Sequence, residues 1–147
     1  FLRTDSEERL PFAVVLSEED RGVGALPNVR LGEVVALDDA RFSDANASLG
    51  LWRPVEFIFD VGPGIYFLEP HDEAKTPVLF IHGALGHPGI WREMVARLDR
   101  DRFQPWFAYY PTAASLDVIS TAIERWMQHL WFTHGFERFL VVAHSMG

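Results

Sequence analysis

The chain contains no cysteine, and this absence excludes several kinds of chemistry. None of its 147 residues is a cysteine, so no disulfide scaffold, thiolate nucleophile or cysteine-bearing metal site can form. No spacing of histidines and acids typical of a metal site is visible, and neither is a motif for an organic cofactor. We therefore expect neither a metal nor a cofactor.

Basic residues and long apolar runs are also scarce. The 13 Lys and Arg are outnumbered by 21 Asp and Glu, which gives a formal net charge of −8. This balance argues against nucleic acid as a partner, because nucleic-acid binding usually needs a basic patch. The longest apolar runs, such as residues 78–81 and 139–143, are far shorter than the roughly 18 residues of a membrane span. No signal peptide is visible.

The remaining composition is that of a folded domain. Apolar residues make up 48% of the chain and charged residues 23%, which excludes bulk disorder. The first 50 or so residues alternate charge-dense stretches with short apolar ones at residues 12–16 and 34–37, so we expect an extended or partly helical preamble there. Residues 54–61 favour a short helix that begins at Pro54 and ends before Gly62, although their aromatic centre also suits a strand.

Strand signals become regular after residue 64. A short strand is predicted at residues 65–68. The continuous apolar runs at residues 77–81, 106–110 and 139–143 are typical of strands buried on both faces.

Helix signals lie between these runs. Ser115 and Gly135 suit the two ends of a long helix. An earlier helix is indicated by four apolar residues at helical spacing, Ile90, Met94, Val95 and Leu98. The order β-α-β-α-β predicts an α/β fold whose mostly parallel strands are covered by helices on both faces.

The last strand runs directly into Ala143-His144-Ser145-Met146-Gly147. This nearly fits the nucleophile elbow, in which small residues stand two positions either side of a serine in a strained turn. Ala143 takes the place of the usual first glycine. The motif is weak alone, but a buried strand immediately before it is its confirming context. It predicts Ser145 as a nucleophile, with an ordinary strand-end serine as the alternative.

A second motif, His82-Gly83-Ala84-Leu85-Gly86, follows the strand at residues 77–81. In acyl-transfer enzymes with an elbow, one oxyanion-hole N–H comes from the loop after such a strand. The other comes from the residue after the nucleophile. These positions predict Ala84 and Met146 as the two donors.

Together the two motifs resemble the α/β-hydrolase fold family, in particular bacterial lipase- and esterase-like members with Ala-His-Ser-Met-Gly at the elbow. The resemblance covers about residues 65–147 and implies that they form the N-terminal half of a hydrolase core, after a preamble at residues 1–64. It also implies specific roles: Ser145 as nucleophile, Ala84 and Met146 as oxyanion donors, His82 and Gly83 as supports of the oxyanion loop, and Ala143, His144 and Gly147 as the rest of the elbow.

The sequence departs from the family in its histidines. The family order is Ser, then an acid, then His, yet all six histidines precede Ser145. His144 adjoins Ser145, but adjacent residues on an elbow point to different sides. We therefore expect the chain to be the N-terminal portion of a larger protein, with the acid and the base after Gly147, and to be inactive alone.

Two functions remain open. The first is hydrolysis of a small-molecule or lipid carboxylic ester through an acyl-enzyme on Ser145, and the same machinery supports thioester or amide hydrolysis. The second is a non-catalytic binding or scaffolding module, because this fold hosts many functions. One of Tyr109 and Tyr110 is a candidate substrate contact, since they follow a strand near the expected mouth of the site. The cellular location stays open: similar family members are often exported, yet no signal peptide is visible in this chain.

Overall fold

Five strands form one sheet in the order β1-β2-β4-β3-β5, in a computed structural model that describes residues 27–147. Three of the four strand pairs are parallel, and β2 runs antiparallel to β4. The strands are β1 (Arg30–Val34), β2 (Gly64–Phe67), β3 (Thr76–Ile81), β4 (Phe103–Tyr109) and β5 (Leu140–Ala143). The predicted α/β class is therefore confirmed, while the apolar stretch at residues 12–16 lies outside the described residues.

The helices lie between these strands. They are α1 (Asp44–Trp52), α2 (Pro54–Glu56), which continues as a π-helical turn (Phe57–Val61), a 3₁₀ turn (Pro88–Trp91) that leads into α3 (Arg92–Ala96), and α4 (Leu116–His134). The helix predicted at residues 54–61 is thus confirmed, with a π-helical second half. None of the helices in residues 27–147 combines the length and apolarity needed to cross a bilayer.

Local signals define the ends of α4. The Ser115 side chain accepts a hydrogen bond from the Val118 N–H, which satisfies one free donor of the first turn. Gly135 ends the helix in the left-handed conformation, with φ 68°, and its N–H donates to the Trp131 carbonyl. Both predicted ends are confirmed. They could be predicted from the sequence because each depends on residues within one helical turn.

The central strands β2, β3 and β4 are buried, as the apolar runs predicted for β3 and β4. The run at residues 139–143 was also predicted to be a buried strand, and this was wrong for β5, which is largely exposed because no strand of the described residues pairs with its outer edge. Along β4, alternate side chains point to opposite sides: Trp106 and Ala108 pack under α4, whereas Phe107 packs with Trp91 and Val95 on the other face. Helices therefore cover the central strands from both sides.

The packing of α3 differs from the prediction. Ile90 and Met94, predicted on the apolar face, are 46% and 48% exposed, whereas Trp91 and Val95 are buried. The segment begins as a 3₁₀ turn, which has about 3.0 residues per turn rather than 3.6. The prediction was therefore wrong for Ile90 and Met94, whereas Val95 is buried and Leu98 packs against the same cluster, as predicted.

Gly64 allows the first strand to join the sheet. It has φ +155°, and a Cβ built on it would lie 1.8 Å from the Arg30 carbonyl oxygen. Only a residue without a side chain permits this close approach. Residues 30–34 consequently pair in parallel with β2 and extend the same sheet.

Candidate functional site

The two sequence motifs meet at the carboxyl edge of the sheet. Strands β3 and β5 are parallel neighbours, and Ile81 stands opposite Ala143. The His144 N–H donates to the Ile81 carbonyl at 3.1 Å, which extends the pairing by one residue. The loops that begin at His82 and His144 therefore leave the sheet side by side, although the motifs are far apart in the sequence.

Ser145 lies in a tight, strained turn. Its φ is 61°, a left-handed conformation that is uncommon for a residue other than glycine. The Gly147 N–H donates to the His144 carbonyl at 3.2 Å and closes the turn around Ser145. The residue is exposed. Backbone strain at an exposed polar residue is a feature of functional sites.

Two glycines make room for this turn. A Cβ on Gly147 would lie 2.7 Å from the Ile81 carbonyl oxygen, and a Cβ on Gly83 would lie 2.5 Å from the Cβ of Ser145. Both distances are too short for a real side chain. The need for a small residue two positions after the serine therefore has a direct steric cause here. The position two residues before it shows no such crowding, because Ala143 is exposed.

Hydrogen bonds fix the loop after β3. The Gly83 carbonyl accepts from His82 Nδ1 at 2.9 Å and from the Gly86 N–H at 3.0 Å. In a trans peptide the C=O and the following N–H point in opposite directions, so the Ala84 N–H points away from these donors. Neither the Ala84 nor the Met146 N–H donates to a backbone carbonyl within residues 27–147. Among the described residues, both N–H groups therefore lack a backbone partner.

His82 supports this loop from inside the protein. Its side chain is fully buried, and burial lowers its pKa to about 4, so the imidazole is neutral at pH 7. The carbonyl of Gly83 is an acceptor, which assigns the proton to Nδ1. His82 is therefore placed as a structural donor to the loop.

The hydrogen bonds of the described histidine rings are made away from the Ser145 hydroxyl. No histidine ring within residues 27–147 forms a hydrogen bond with the Ser145 hydroxyl. His87 caps the 3₁₀ turn by accepting from the Gly89 N–H. His71 and His134 pack together at 4.3 Å between ring centroids, and Gln104 near the start of β4 contacts His71, so this pair lies at the opposite edge of the sheet.

The two tyrosines, one of which is predicted as a substrate contact, are buried instead. Tyr109 is 0% exposed and Tyr110 is 2% exposed. The Tyr109 hydroxyl donates to the Arg41 carbonyl at 3.1 Å, and the Tyr110 hydroxyl donates to the His82 carbonyl. Sequence reasoning missed this second contact, because no local signal links a residue after β4 to the loop after β3.

An apolar groove of about 730 Å³ lies beside the elbow, between α4 and β5. Its walls include Ile119, Ile123 and Met127 of α4, Val141 of β5, and Met146.

Within residues 27–147, no three His, Asp or Glu side chains are grouped as ligands for a metal ion.

Comparison of the chain with family models, with curated proteins and with solved structures found no match. The chemistry of the site must therefore be inferred from its own geometry.

Proposed function

We propose that the chain is part of a serine hydrolase of the α/β-hydrolase type that cleaves carboxylic esters, with Ser145 as its nucleophile. The observation that carries the proposal is the conformation of Ser145. The residue is exposed, has φ 61°, and directly follows a parallel strand of the sheet. A serine in this conformation just after a strand supports the proposal, because it supplies the strand and the turn of the strand–turn–helix that forms a nucleophile elbow.

The loop after β3 adds independent support. Gly83 packs against Ser145, so the Gly83–Ala84 peptide is adjacent to the nucleophile. The carbonyl of this peptide is held by His82 and Gly86, and the Ala84 N–H donates to no backbone carbonyl within residues 27–147. The Met146 N–H, next to Ser145, donates to none of them either. Two such N–H groups beside a nucleophile suit the developing negative charge of a tetrahedral intermediate.

The proposed reaction has two steps. Ser145 Oγ attacks the ester carbonyl carbon while a base removes its proton, and the carbonyl oxygen becomes an oxyanion held by the Ala84 and Met146 N–H groups. The C–O bond to the alcohol then breaks, the alcohol leaves with the proton, and an acyl-enzyme remains. Water hydrolyses this ester by the same route. Thioesters and amides are alternative substrates of the same machinery.

The base and the acid that orients it are proposed to lie in sequence after Gly147. None of the described histidines is bonded to Ser145, and the family that the motifs resemble places its acid and histidine after the nucleophile. The proposed enzyme is therefore the longer protein that carries these residues.

A fluorophosphonate probe tests the assignment. The probe should form a covalent adduct with the longer protein, and peptide mapping should place it on Ser145. The Ser145→Ala variant should not react, because the probe needs an activated serine. Labelling that persists in Ser145→Ala would overturn the assignment, even if the protein hydrolyses esters by another route.

A non-catalytic module is the second candidate. The observation that favours it is the lack of a histidine bonded to Ser145 within residues 27–147. If the longer protein takes up no probe at Ser145 and hydrolyses no ester, while remaining folded, this second function would replace the first.

A further inference from the structure

Tyr110 makes two contacts with His82, the first residue of the loop after β3. Its hydroxyl donates a hydrogen bond to the His82 carbonyl. Its ring also stacks on the His82 imidazole, with centroids 4.3 Å apart and planes only 11° from parallel. Both residues are almost completely buried. One side chain therefore holds both the backbone and the side chain of His82.

These contacts fix two successive peptide groups. Tyr110 holds the carbonyl of the His82–Gly83 peptide, and the His82 imidazole holds the carbonyl of the Gly83–Ala84 peptide at 2.9 Å. Because each trans peptide is planar, holding its carbonyl also sets the direction of the next N–H. The direction of the Ala84 N–H therefore depends on His82 directly and on Tyr110 through it.

The Tyr110 hydroxyl is suited to this role over a wide pH range. Burial raises the pKa of Tyr110 to about 12, so the phenol keeps its proton and remains a donor. A buried carbonyl that loses its donor is left as an unsatisfied polar atom, which is unfavourable. The loop would move to recover a partner, and movement here displaces the Ala84 N–H.

We propose that Tyr110 is a positioning residue for the oxyanion loop, which it aligns by bonding the His82 carbonyl and stacking on the His82 ring. The inference rests on the proposed function, since it assigns a role in orienting the Ala84 N–H toward the oxyanion. It replaces the substrate contact for which Tyr110 is a candidate.

The test compares Tyr110→Phe with Tyr109→Phe in the longer protein. Tyr109 is a matched control for the hydroxyl, because it is equally buried and its hydroxyl donates to the Arg41 carbonyl, outside the loop. Its ring also lies edge-on to the His82 ring, and both substitutions keep the ring. Tyr110→Phe should lower kcat and the rate of fluorophosphonate labelling about tenfold or more, because small displacements of catalytic groups carry large rate penalties. KM should stay within about twofold, since the ground-state carbonyl needs the N–H less than the oxyanion does.

The control separates positioning from stability. Tyr109→Phe should lower Tm by a similar amount but leave kcat and the labelling rate within about twofold of wild type. Equal effects of the two variants on kcat would overturn the inference and leave the proposed function standing. No labelling of Ser145 in the wild type would overturn the proposed function, and this inference with it.

A second replacement keeps the size of the side chain, in case Tyr110→Phe does not fold. Site-specific 3,5-difluorotyrosine at position 110 has a more acidic phenol, which loses its donor proton at lower pH. It should add an alkaline fall to the pH profile of kcat that neither the wild type nor the same replacement at Tyr109 shows. An unchanged profile in a folded protein would overturn the inference.

Discussion

Gly83 and Ser145 pack so closely that no side chain fits between them. A methyl group at Gly83 would lie 2.5 Å from Ser145 Cβ and 3.0 Å from its Oγ. Real Cβ atoms do not approach this closely, so any side chain at position 83 must move the elbow, the loop after β3, or both. The two motifs of the site are therefore sterically coupled through this glycine.

Gly83→Ala should consequently inactivate the proposed enzyme. In the longer protein, we expect the rate of fluorophosphonate labelling at Ser145 to fall at least about 100-fold, because a shift of about 1 Å in a catalytic group has effects of this size. The measurement is the labelling rate of purified, folded variant. A Gly83→Ala protein that labels at the wild-type rate would contradict the packing described here.

Gly135→Ala is the matched control for that variant. A Cβ at Gly135 would meet nothing within 4 Å in the described part of the chain, but the residue has φ +68°. Alanine there should lower the free energy of unfolding by about 1–2 kcal/mol through its left-handed conformation. Labelling of Ser145 should be unchanged.

The 147-residue chain by itself should not hydrolyse esters above background. A serine hydroxyl needs a neighbouring base to act as a nucleophile, and no described histidine is bonded to Ser145. The measurement is turnover of a nitrophenyl ester by the purified chain, with its Ser145→Ala variant in parallel. Turnover that disappears in Ser145→Ala would show that a base lies within these 147 residues.

Acid should destabilise the chain through His82. Burial lowers its pKa from 6.5 to about 4, so between these values the unfolded state binds the proton and the folded state does not. The contribution of neutral His82 to the free energy of unfolding is therefore fully present above pH 6.5 and is lost as the pH falls toward 4. Between pH 7.5 and pH 5 the loss from His82 should be about 2 kcal/mol. Burial also lowers the pKa of His134, which adds a loss of the same sign.

Urea unfolding at the two pH values measures this loss. His82→Asn should be less stable than wild type at pH 7.5 but should show a smaller difference between pH 7.5 and pH 5. An unchanged difference in that variant would mean that other groups cause the acid sensitivity.

Strand β5 should cause the 147-residue chain to self-associate. In the described part of the chain β5 pairs only with β3, so its outer N–H and C=O groups form an open edge. Phe139, Leu140 and Val141 are 41–54% exposed there, beside the apolar groove of α4. An uncharged apolar edge of this kind favours pairing with another chain. Size-exclusion chromatography and thermal melting should show oligomers or a broad transition.

A charge on the edge should reduce this association. Val141→Lys places a lysine on β5, where natural edge strands often carry one. Val118→Lys is the control, because Val118 is equally exposed but lies on α4 and changes the net charge by the same amount. A monodisperse wild-type chain with a sharp melt would contradict the prediction.

Much of the fold follows from short-range sequence signals. Ser115 and Gly135 define the ends of α4 through hydrogen bonds within one turn, and the apolar run at residues 77–81 closely matches β3. The antiparallel direction of β2 did not follow, because it depends on pairing with β4 rather than on its own residues. The exposure of Ile90 and Met94 did not follow either, since the segment begins as a 3₁₀ turn and buries Trp91.

The candidate site shows the same division. The spacing of small residues around Ser145 led to its prediction as an elbow, and the residue indeed has a positive φ. The proximity of Gly83 to Ser145 depends on the pairing of β3 with β5, and the bond from Tyr110 to His82 depends on the pairing of β3 with β4. Both contacts join residues that are far apart in the sequence, so they could not be predicted without the order of the strands in the sheet.

The strand order also has a consequence for how the chain folds. Among the strands of residues 27–147, no pair is a local hairpin: the shortest separation is that of Thr76 and Phe103, 27 residues apart, and Val78 and Leu140 are 62 residues apart. Contacts between distant residues require large loops to close first, which slows folding. The pair β3–β5 closes the longest of these loops, and it is the pair that brings Ser145 to Gly83. We therefore expect Ser145 to reach its place late in folding, after the central strands have paired.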